Sequence, residues 1–338
     1  MTDSNKLNDA EIDRLIRYVT DEVSRGPVSP AAASGPFRPP SNFDPGRGAG
    51  MFHDPDSAVD AARKAFEQLG EMPLERRRHI VAAMRATARE HAQVLAHFAA
   101  QETGMGRAED KVKKNLLTAD KTPGPEYLDT QAWSGDGGLT ITEYAPYGVL
   151  ASITPSTNPT STVINNSISM VSAGNAVVFN AHPSARQSSA YTIQLLNEAI
   201  MSAGGPPNLL TCIAEPTIQS AQALMVHKQV RLLVVTGGAA VVKQAMQSGK
   251  RAVCAGPGNP PVVVDETADI EQAGRDIVIG GSFDNNLVCT TEKTTFAVAS
   301  VVDDLVDAMT RHGAYLITSW QLRRLMKSIL AEDRGPGT

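Results

Sequence analysis

The chain has 338 residues, of which 42% are hydrophobic and 20% charged, and its formal net charge is -5 at pH 7. This composition is typical of a globular protein with a sizeable core and room for two domains, and the acidic balance argues against a nucleic-acid partner. No apolar run approaches the roughly 20 residues of a membrane span. Three cysteines without a CxxC pair, and seven histidines without ligand spacing, predict a reducing compartment and no metal site.

The chain opens with a predicted amphipathic helix from Asn8 to Arg25. Asn8 and Glu11 form a start that resembles a capping box, and Gly26-Pro27 ends the helix. Residues 26–50 are rich in Pro, Gly, Ser and Ala, which predicts a disordered linker. A tethered helix with an apolar stripe needs a partner surface, either on the main body of this chain or on another protein, and the pattern leaves both open.

From Met51 onward the pattern is that of an α/β domain. Helices are predicted at 57–69 and 74–102 because apolar residues recur there at core spacing and Gly70 and Gly104 follow. Between Trp133 and Tyr147, an alternating run beside a Gly-rich turn predicts a projecting hairpin, for which oligomer contacts are one use.

After Tyr147 predicted strands and helices alternate as far as AVCA, residues 252–255. Repeated βα units predict a parallel sheet with helices on both faces, and ligands of such sheets lie at the C-terminal ends of the strands. The loops expected at those ends are 154–161, 180–185 and 236–240. They combine prolines, short hydroxyl and amide side chains, or paired glycines. Each alone is compatible with an ordinary turn, and no GxGxxG fingerprint accompanies them.

The stretch from Ala255 to Val298 presents a cysteine. A strand at 262–264 and a helix from Asp269 lead to a predicted turn at Gly280-Gly281 and a polar loop ending in Cys289. Polar neighbours of Cys289 favour a reactive thiol over a buried core cysteine, which is the alternative for this residue type. These neighbours are Asn285, Asn286, Thr290, Thr291 and Lys293.

Six motifs, in order and spacing, carry a family resemblance: QETGMGRAEDKVKKN, ITPSTNPTSTVINN, VVFNAHPSA, VVTGGAAVVK, AGPGNPPVVVDETADI and GGSFDNNLVCTTEK. From about Ser57 to its end the chain resembles the aldehyde dehydrogenase superfamily. Within it the chain is most similar to the CoA-acylating branch, the propionaldehyde and acetaldehyde dehydrogenases of bacterial microcompartments. The fold expected is a Rossmann-type nucleotide-binding domain over 51–254, with the hairpin at 133–147, and an α/β catalytic domain beginning at 255 and continuing to 338.

The resemblance implies that Cys289 is the nucleophile and that Thr157 or Asn158, with backbone N–H groups, holds the oxyanion. It implies NAD and coenzyme A as cofactors that use one pocket in turn, with a short-chain aldehyde as substrate. The residues expected to line the nucleotide site are Thr154, Pro155, Ser156, Thr157, His182, Pro183, Thr236, Gly237, Gly238 and Gly256. Hydrolytic relatives carry a water-activating Glu at the position of Cys254, so CoA rather than water is expected to take the acyl group.

The resemblance also implies that residues 1–25 bind a microcompartment shell protein, that the protein lies in the cytoplasm inside a microcompartment, and that a full-length chain forms a homo-oligomer. Family members continue past Thr338, so the chain looks truncated, and a truncated chain is expected to expose apolar residues around Phe296, Val298, Trp320 and Leu325.

Two other functions stay open at this point: a fold relative such as a glutamyl-phosphate reductase, and an inactive shortened chain that binds a shell. Aldehyde chain length, NAD against NADP preference and oligomeric state are not fixed by the sequence.

Overall fold

The computed structural model describes residues 43–329, so the predicted helix at 8–25 and most of the predicted linker lie outside the described residues. The described chain divides into two compact units. We call residues 43–260 with 283–291 the sheet unit, and residues 261–282 with 292–329 the second unit. The division at 260 lies six residues beyond the boundary predicted at 254, and the segment that carries Cys289 belongs to the sheet unit.

The sheet unit holds eight helices among its described residues. They are α1 (Pro55–Gly70), α2 (Leu74–Glu90), α3 (Ala92–Thr103), α4 (Ala108–Lys121), α5 (Pro159–Ser172), α6 (Arg186–Ser202), α7 (Ile218–Val226) and α8 (Ala239–Met246). Helix α1 begins after Asp54, whose carboxylate accepts a hydrogen bond from Ser57 N at 2.8 Å, as an N-cap residue does.

The single helix predicted at 74–102 is wrong in one respect, because the structure has two helices there. The break lies at His91, whose backbone (φ -96°, ψ 6°) leaves the helical region. Neither Gly nor Pro stands at that point, so the sequence carries no breaker signal. Helix α4 was not predicted, although two of its lysines, Lys111 and Lys114, bind the buried Asp284.

Six strands form the main sheet: β1 (Met51–Phe52), β4 (Val149–Ile153), β5 (Ala176–Asn180), β6 (Leu210–Ile213), β7 (Val230–Thr236) and β8 (Ala252–Ala255). They are parallel and lie in the order β1-β6-β5-β4-β7-β8. Every residue of β4, β5 and β6 is buried, which explains their almost continuous apolar sequence, since helices cover both faces of a parallel sheet. The predicted α/β fold is therefore confirmed; the two-residue edge strand β1 was not predicted.

The predicted hairpin is present as an antiparallel pair, β2 (Gln131–Gly135) with β3 (Gly138–Thr142). All ten residues of the two strands are exposed, including Trp133, Leu139 and Ile141. The hairpin therefore contributes nothing to the core of the sheet unit.

The second unit contains the parallel pair β9 (Pro261–Val264) and β10 (Thr294–Ala297), with α9 (Ile270–Ser282), α10 (Val302–Arg311) and α11 (Ser319–Ile329). Its buried hydrophobic cluster consists of Val264, Ile277, Val301 and Leu305. The turn predicted at Gly280-Gly281 is wrong, because α9 continues through both glycines to Ser282.

In the second unit Phe296, Val298 and Trp320 are exposed, and Leu325 is half-buried. Among the described helices of both units, none is long and apolar enough to cross a membrane. The described residues also contain no group of three or more His, Cys, Asp or Glu side chains able to hold a metal ion.

Candidate active site

The candidate site lies at the C-terminal edge of the sheet, where the strand order reverses. From β4 the chain proceeds to β5 and β6 on one side and then returns to β7 and β8 on the other. The strands β4 and β7 are neighbours, and the loops that follow them therefore lead in opposite directions. Open α/β sheets bind ligands at such a switch point.

The loop after β4 holds the first group of predicted site residues, Thr154 to Asn158. Thr154 N donates to Asn180 O at the end of β5 (3.2 Å), which joins this loop to the next. The hydroxyl of Thr154 is buried and has no hydrogen-bond partner among the described residues. A buried polar atom of this kind is usually satisfied by water or a ligand, so it fits a polar group bound at this edge.

Asn158 stands at the N-cap of α5, but its side chain makes no capping bond. Its Oδ1 instead accepts a hydrogen bond from Lys114 Nζ (2.6 Å), and its Nδ2 donates to Thr157 Oγ1 (3.0 Å). Asn is among the best N-cap residues, so the diversion of its amide away from the helix end indicates a different task.

The loop after β5 contains His182 and Pro183. His182 Nδ1 accepts from Ser184 N (3.2 Å) at the start of a short 3-10 helix, Pro183–Ala185, and desolvation lowers the pKa of the imidazole. Helix α6 follows, and its first amides are already bound: Gln187 N and Ser188 N each donate to the carboxylate of Glu102 at 2.7 Å.

The loop after β7 contains Gly237 and Gly238, and Gly238 is the N-cap of α8 without any side-chain cap. A Cβ built on Gly238 would have no neighbouring atom within 4 Å. The open space and the uncapped amides of α8 suit close approach of a phosphate group. Thr236 precedes this turn and is half-buried.

The turn before Cys289 has an unusual backbone. Asp284, Asn285 and Asn286 are consecutive non-glycine residues in the left-handed region, with φ values of 50°, 55° and 60°. Asp and Asn tolerate this region better than other residues, yet each such residue is unfavourable by about 1–2 kcal/mol. The half-buried Cys289 follows three residues later, so a strained turn presents the thiol.

Asp284 is completely buried and anchors this turn. Its carboxylate accepts hydrogen bonds from Arg107 N (2.7 Å), from Lys111 Nζ (3.2 Å) and, at very short range, from Lys114 Nζ. Its own N–H donates to the carboxylate of Asp110 at 3.0 Å. These bonds offset the cost of the left-handed backbone and of the buried charge.

Lys111 is also almost fully buried, and its Nζ donates to Thr157 O (3.1 Å) as well as to Asp284. Desolvation lowers its pKa to about 8, with repulsion from Lys114 acting in the same direction and attraction to Asp284 opposing both. Helix α4 thus connects the turn of Cys289 with the loop that carries Thr157 and Asn158.

The loop after β8 closes on the same turn. Gly258 lies so close to the carbonyl oxygen of Cys289 that an added Cβ would clash with it. Gly256 precedes it in this loop and has room for a Cβ, with the nearest atom, Val242 Cγ2, at 3.8 Å. A side chain at 258 would therefore displace the backbone of Cys289.

The other two cysteines are in different surroundings. Cys212 lies within β6, fully buried, and desolvation raises its pKa to about 12. Cys254 lies in β8, half-buried, and desolvation raises its pKa. Position 254 therefore offers a poorly ionised thiol and no carboxylate.

The structure brings the predicted residues Thr157 and Asn158 into one hydrogen-bonded network with the turn before Cys289. The predicted residues at 182–183 and 236–238 follow strands that end at the same edge of the sheet. Sequence reasoning missed the residues that make the connection: Asp284, Lys111, Lys114, Asp110 and Gly258. Lys111 and Lys114 are three residues apart, a spacing that places both on one face of a helix, but the same spacing is common on exposed helix faces and does not indicate burial.

A parallel sheet whose strand order reverses at β4, together with a half-buried cysteine that follows a turn, is typical of a nucleotide-binding fold combined with thiol chemistry. The aldehyde dehydrogenase family model matches residues 49–319. This covers well over half of the chain, and the chain belongs to the aldehyde dehydrogenase family.

Relatives within that family include the acetylating acetaldehyde dehydrogenase EutE of Escherichia coli K12, 49% identical over 292 residues, which are 86% of this chain and 62% of EutE. The CoA-propanoylating propanal dehydrogenase of Salmonella typhimurium is 42% identical over 328 residues, which are 97% of this chain and 68% of that protein. These relatives confirm the resemblance to the CoA-acylating branch.

Solved structures agree. A propionaldehyde dehydrogenase from the fucose utilisation microcompartment of Clostridium phytofermentans has a TM-score of 0.80 and 45% identity, with 84% of this chain and 65% of that chain covered. That of Rhodopseudomonas palustris, with bound CoA and an acylated cysteine, has a TM-score of 0.79 and 46% identity, with 83% and 65% covered. The chain thus spans less than two thirds of the length of several relatives that it matches.

Proposed function

We propose that this chain carries the chemistry of a CoA-acylating aldehyde dehydrogenase: a short-chain aldehyde, CoA and NAD give an acyl-CoA and NADH. The observation that carries the proposal is the hydrogen-bonded network joining the turn of Cys289 to the amide of Asn158. It supports a nucleophile and an oxyanion donor held by one set of contacts.

In this proposal the thiolate of Cys289 adds to the aldehyde carbon. The Nδ2–H of Asn158 that is not donated to Thr157 stabilises the oxygen that becomes negatively charged, as oxyanion donors do. NAD supplies the acceptor for the hydride that leaves this carbon. Loss of the hydride leaves a thioester on Cys289, and the thiol of CoA then displaces Cys289 from the acyl group.

The choice of CoA over water rests on position 254. No carboxylate stands there, and Cys254 has a raised pKa, so it is a poor general base at neutral pH. Without a base that activates water, a thioester on Cys289 persists until a better nucleophile arrives. A thiol such as CoA reacts with thioesters more readily than water does.

For the nucleotide, the residues that fit a phosphate are Gly237 and Gly238 with the N-terminal amides of α8, and the buried Thr154 hydroxyl lies on the neighbouring strand end. Pro155, Ser156 and Thr157, together with His182, Pro183, Thr236 and Gly256, complete the proposed pocket for NAD and, in turn, CoA. We assign nucleotide binding to residues 51–254 and the catalytic chemistry to the segment 255–338, within which Cys289 lies in the part that belongs to the sheet unit.

The test follows absorbance of NADH at 340 nm with propionaldehyde, with and without CoA. We expect steady formation of NADH and propionyl-CoA when CoA is present, and one equivalent of NADH followed by a stall when it is absent. Steady production of free propionic acid without CoA would contradict the proposal. A chain that forms no NADH under either condition would also contradict it.

We further propose that residues 1–25 direct the chain to a bacterial microcompartment by binding a shell protein. The propionaldehyde dehydrogenase of Clostridium phytofermentans, one relative of known structure, comes from such a compartment, and the segment has an amphipathic sequence. Fusion of residues 1–25 to a fluorescent protein, in cells that form shells, should give fluorescent foci. Diffuse fluorescence beside intact shells would argue against this assignment.

A homo-oligomer is proposed on the basis of the hairpin β2–β3, since its fully exposed strands carry Trp133, Leu139 and Ile141. The strand register places Leu139 and Ile141 on one face of the hairpin and Trp133 on the other, so both faces offer an exposed apolar group to a partner subunit. Sedimentation of the wild-type chain and a Trp133→Ser/Ile141→Ser variant should show a shift towards monomer in the variant.

A further inference from the structure

Two buried lysines, Lys111 and Lys114, and the buried Asp284 form a cluster that we call the brace. We propose that the brace positions the two reacting groups, by holding the turn of Cys289 and the amide of Asn158 at a fixed separation. The three residues are positioning residues, because the lysines contact Asp284, Asn158 and the backbone of Thr157 and none of these contacts is to a reacting atom. The inference rests on the proposed function, in which Cys289 and Asn158 share one substrate.

The first step concerns the turn. Three consecutive L residues in the left-handed region hold that conformation only when the surroundings determine it. Here the side chain of Asp284 receives three donors, and its backbone N–H is bound by Asp110. The conformation that presents Cys289 therefore depends on the contacts of Asp284.

The second step concerns the amide of Asn158. Lys114 Nζ can only donate, so the amide oxygen of Asn158 must face it and the NH2 group must face away. One of the two N–H bonds goes to Thr157 Oγ1, which leaves the other as a donor. Without Lys114, nothing in this contact prevents a half-turn of the amide, which would present an acceptor to a developing oxyanion.

The third step is the connection between the two. Lys111 and Lys114 both reach the same oxygen, Asp284 Oδ2, and each also binds the loop at 157–158, Lys111 through Thr157 O and Lys114 through Asn158 Oδ1. Two cross-links therefore join turn and loop. Burial shields them from water, so they are stronger and more rigid than surface ion pairs.

The first experiment uses the full chain without NAD or CoA. Propionaldehyde should protect Cys289 from iodoacetamide by adding reversibly to the thiol, and mass mapping reports the labelled peptide. In Lys114→Met the aldehyde concentration for half-protection should rise about 10- to 100-fold, as expected for loss of one oxyanion donor or part of it. Lys121→Met, on the exposed end of the same helix, is the matched control and should match wild type.

A double-mutant cycle separates positioning from simple stabilisation. If Lys114 acts through Asn158, the aldehyde concentration for half-protection of Cys289 should be no higher in Lys114→Met/Asn158→Ala than in Asn158→Ala alone. Fully additive losses would overturn the inference. In turnover, Lys114→Met should lower kcat by about 10- to 100-fold while the KM for CoA stays within about threefold. A change in KM with kcat preserved would also overturn it.

The turn is tested by the alkylation rate of Cys289 without aldehyde. Asp284→Asn should change this rate at least about tenfold, relative to Cys254 in the same sample. If Asp284→Asn does not fold, the experiment uses Asp284→Asn/Lys111→Met instead, because this double variant keeps the net charge of Asp284, Lys111 and Lys114 together. An unchanged ratio in the folded variant would contradict the role of Asp284.

The outcomes distinguish this inference from the proposed function. A wild-type chain that shows aldehyde protection and the expected cycle, yet forms no NADH, refutes the proposed function and retains the brace. A chain that forms NADH with CoA, but shows additive losses and an unchanged alkylation ratio, refutes the brace alone. Absence of aldehyde protection in wild type would overturn the part of the inference that concerns Asn158.

Discussion

Strand β6 and the turn at 284–289 each carry a cysteine, and the two side chains differ in burial and in the backbone that holds them. Cys212 lies in a fully buried strand of the parallel sheet, where desolvation raises its pKa to about 12. Cys289 is half-buried and follows a left-handed turn anchored by Asp284 and two lysines. Both belong to the same compact unit. Within one compact unit, the local backbone therefore decides whether a thiol is enclosed in the sheet or partly exposed at a turn.

The largest effect should come from removing each thiol in turn. Cys289→Ala should lower CoA-dependent NADH formation by at least about 10⁴-fold, because no other group can form the thioester. Cys212→Ala should stay within about threefold of wild type. A matched pair of assays at equal protein concentration measures this, and stable labelling by a mild thiol reagent at Cys212 rather than Cys289 would reverse the assignment.

A smaller effect should follow from crowding the turn without touching the thiol. In Gly258→Ala the new Cβ would clash with the carbonyl oxygen of Cys289, and overpacking of this kind costs about 1–3 kcal/mol. We expect a lower urea midpoint and a changed alkylation rate at Cys289, with Cys212 still unlabelled. Gly70→Ala is the control, because a Cβ there meets nothing within 4 Å; equal behaviour of the two variants would show that the turn has room.

The charged surroundings of the turn should appear in the pH dependence of stability. Because the pKa of Lys111 is lowered to about 8, the unfolded chain binds more protons than the folded chain between about pH 8 and 10.5. The free energy of unfolding should therefore rise with pH in this window, by up to about 1.4 kcal/mol per pH unit.

Lys111→Met should remove this rise, whereas Lys121→Met should keep it. Urea titrations at pH 8, 9 and 10 measure the slopes. A slope that is the same in wild type and Lys111→Met would mean that Lys111 stays charged in the folded chain.

The smallest expected effect is on stability, where Cys212→Ala should be more damaging than Cys289→Ala, the opposite of their order in activity. Cys212→Ala leaves a small cavity beside β5 and should cost about 1–2 kcal/mol. Cys289→Ala should change the free energy of unfolding by no more than about 0.5 kcal/mol, since the side chain is half-buried. If Cys289→Ala proved the more destabilising of the two, the thiol would be part of what holds the turn.

The sequence was sufficient for the sheet because its strands are short apolar runs that recur with helical segments between them. Motif resemblance also predicted roles for Cys289, Thr157 and Asn158, and those roles stay predictions. It was not sufficient for the supports of the site. Asp284 and Lys114 are 170 residues apart, and charged residues are ordinarily read as exposed, so their burial together depends on tertiary packing that no local pattern encodes.

Local errors have similar causes. The helix ends at His91 although neither Gly nor Pro stands there to predict a break. Gly280 and Gly281 predicted a turn, but α9 continues through both. In the second case a conformational preference of at most about 1 kcal/mol per glycine yields to the rest of the helix. Elsewhere in α9, Gly274 has a packing reason, because a Cβ there would lie 2.6 Å from that of Ala308.

Helix α6 begins with two amides that already hold the carboxylate of Glu102. In many nucleotide-binding folds the first amides of a helix bind a phosphate group of the ligand. Here the carboxylate of Glu102 occupies the corresponding amides of α6. A dissolved anion would therefore have to displace the carboxylate of Glu102 to bind these two amides. In the nucleotide site proposed above, the start of α8, which has no side-chain cap, is therefore the helix end that a phosphate group could approach.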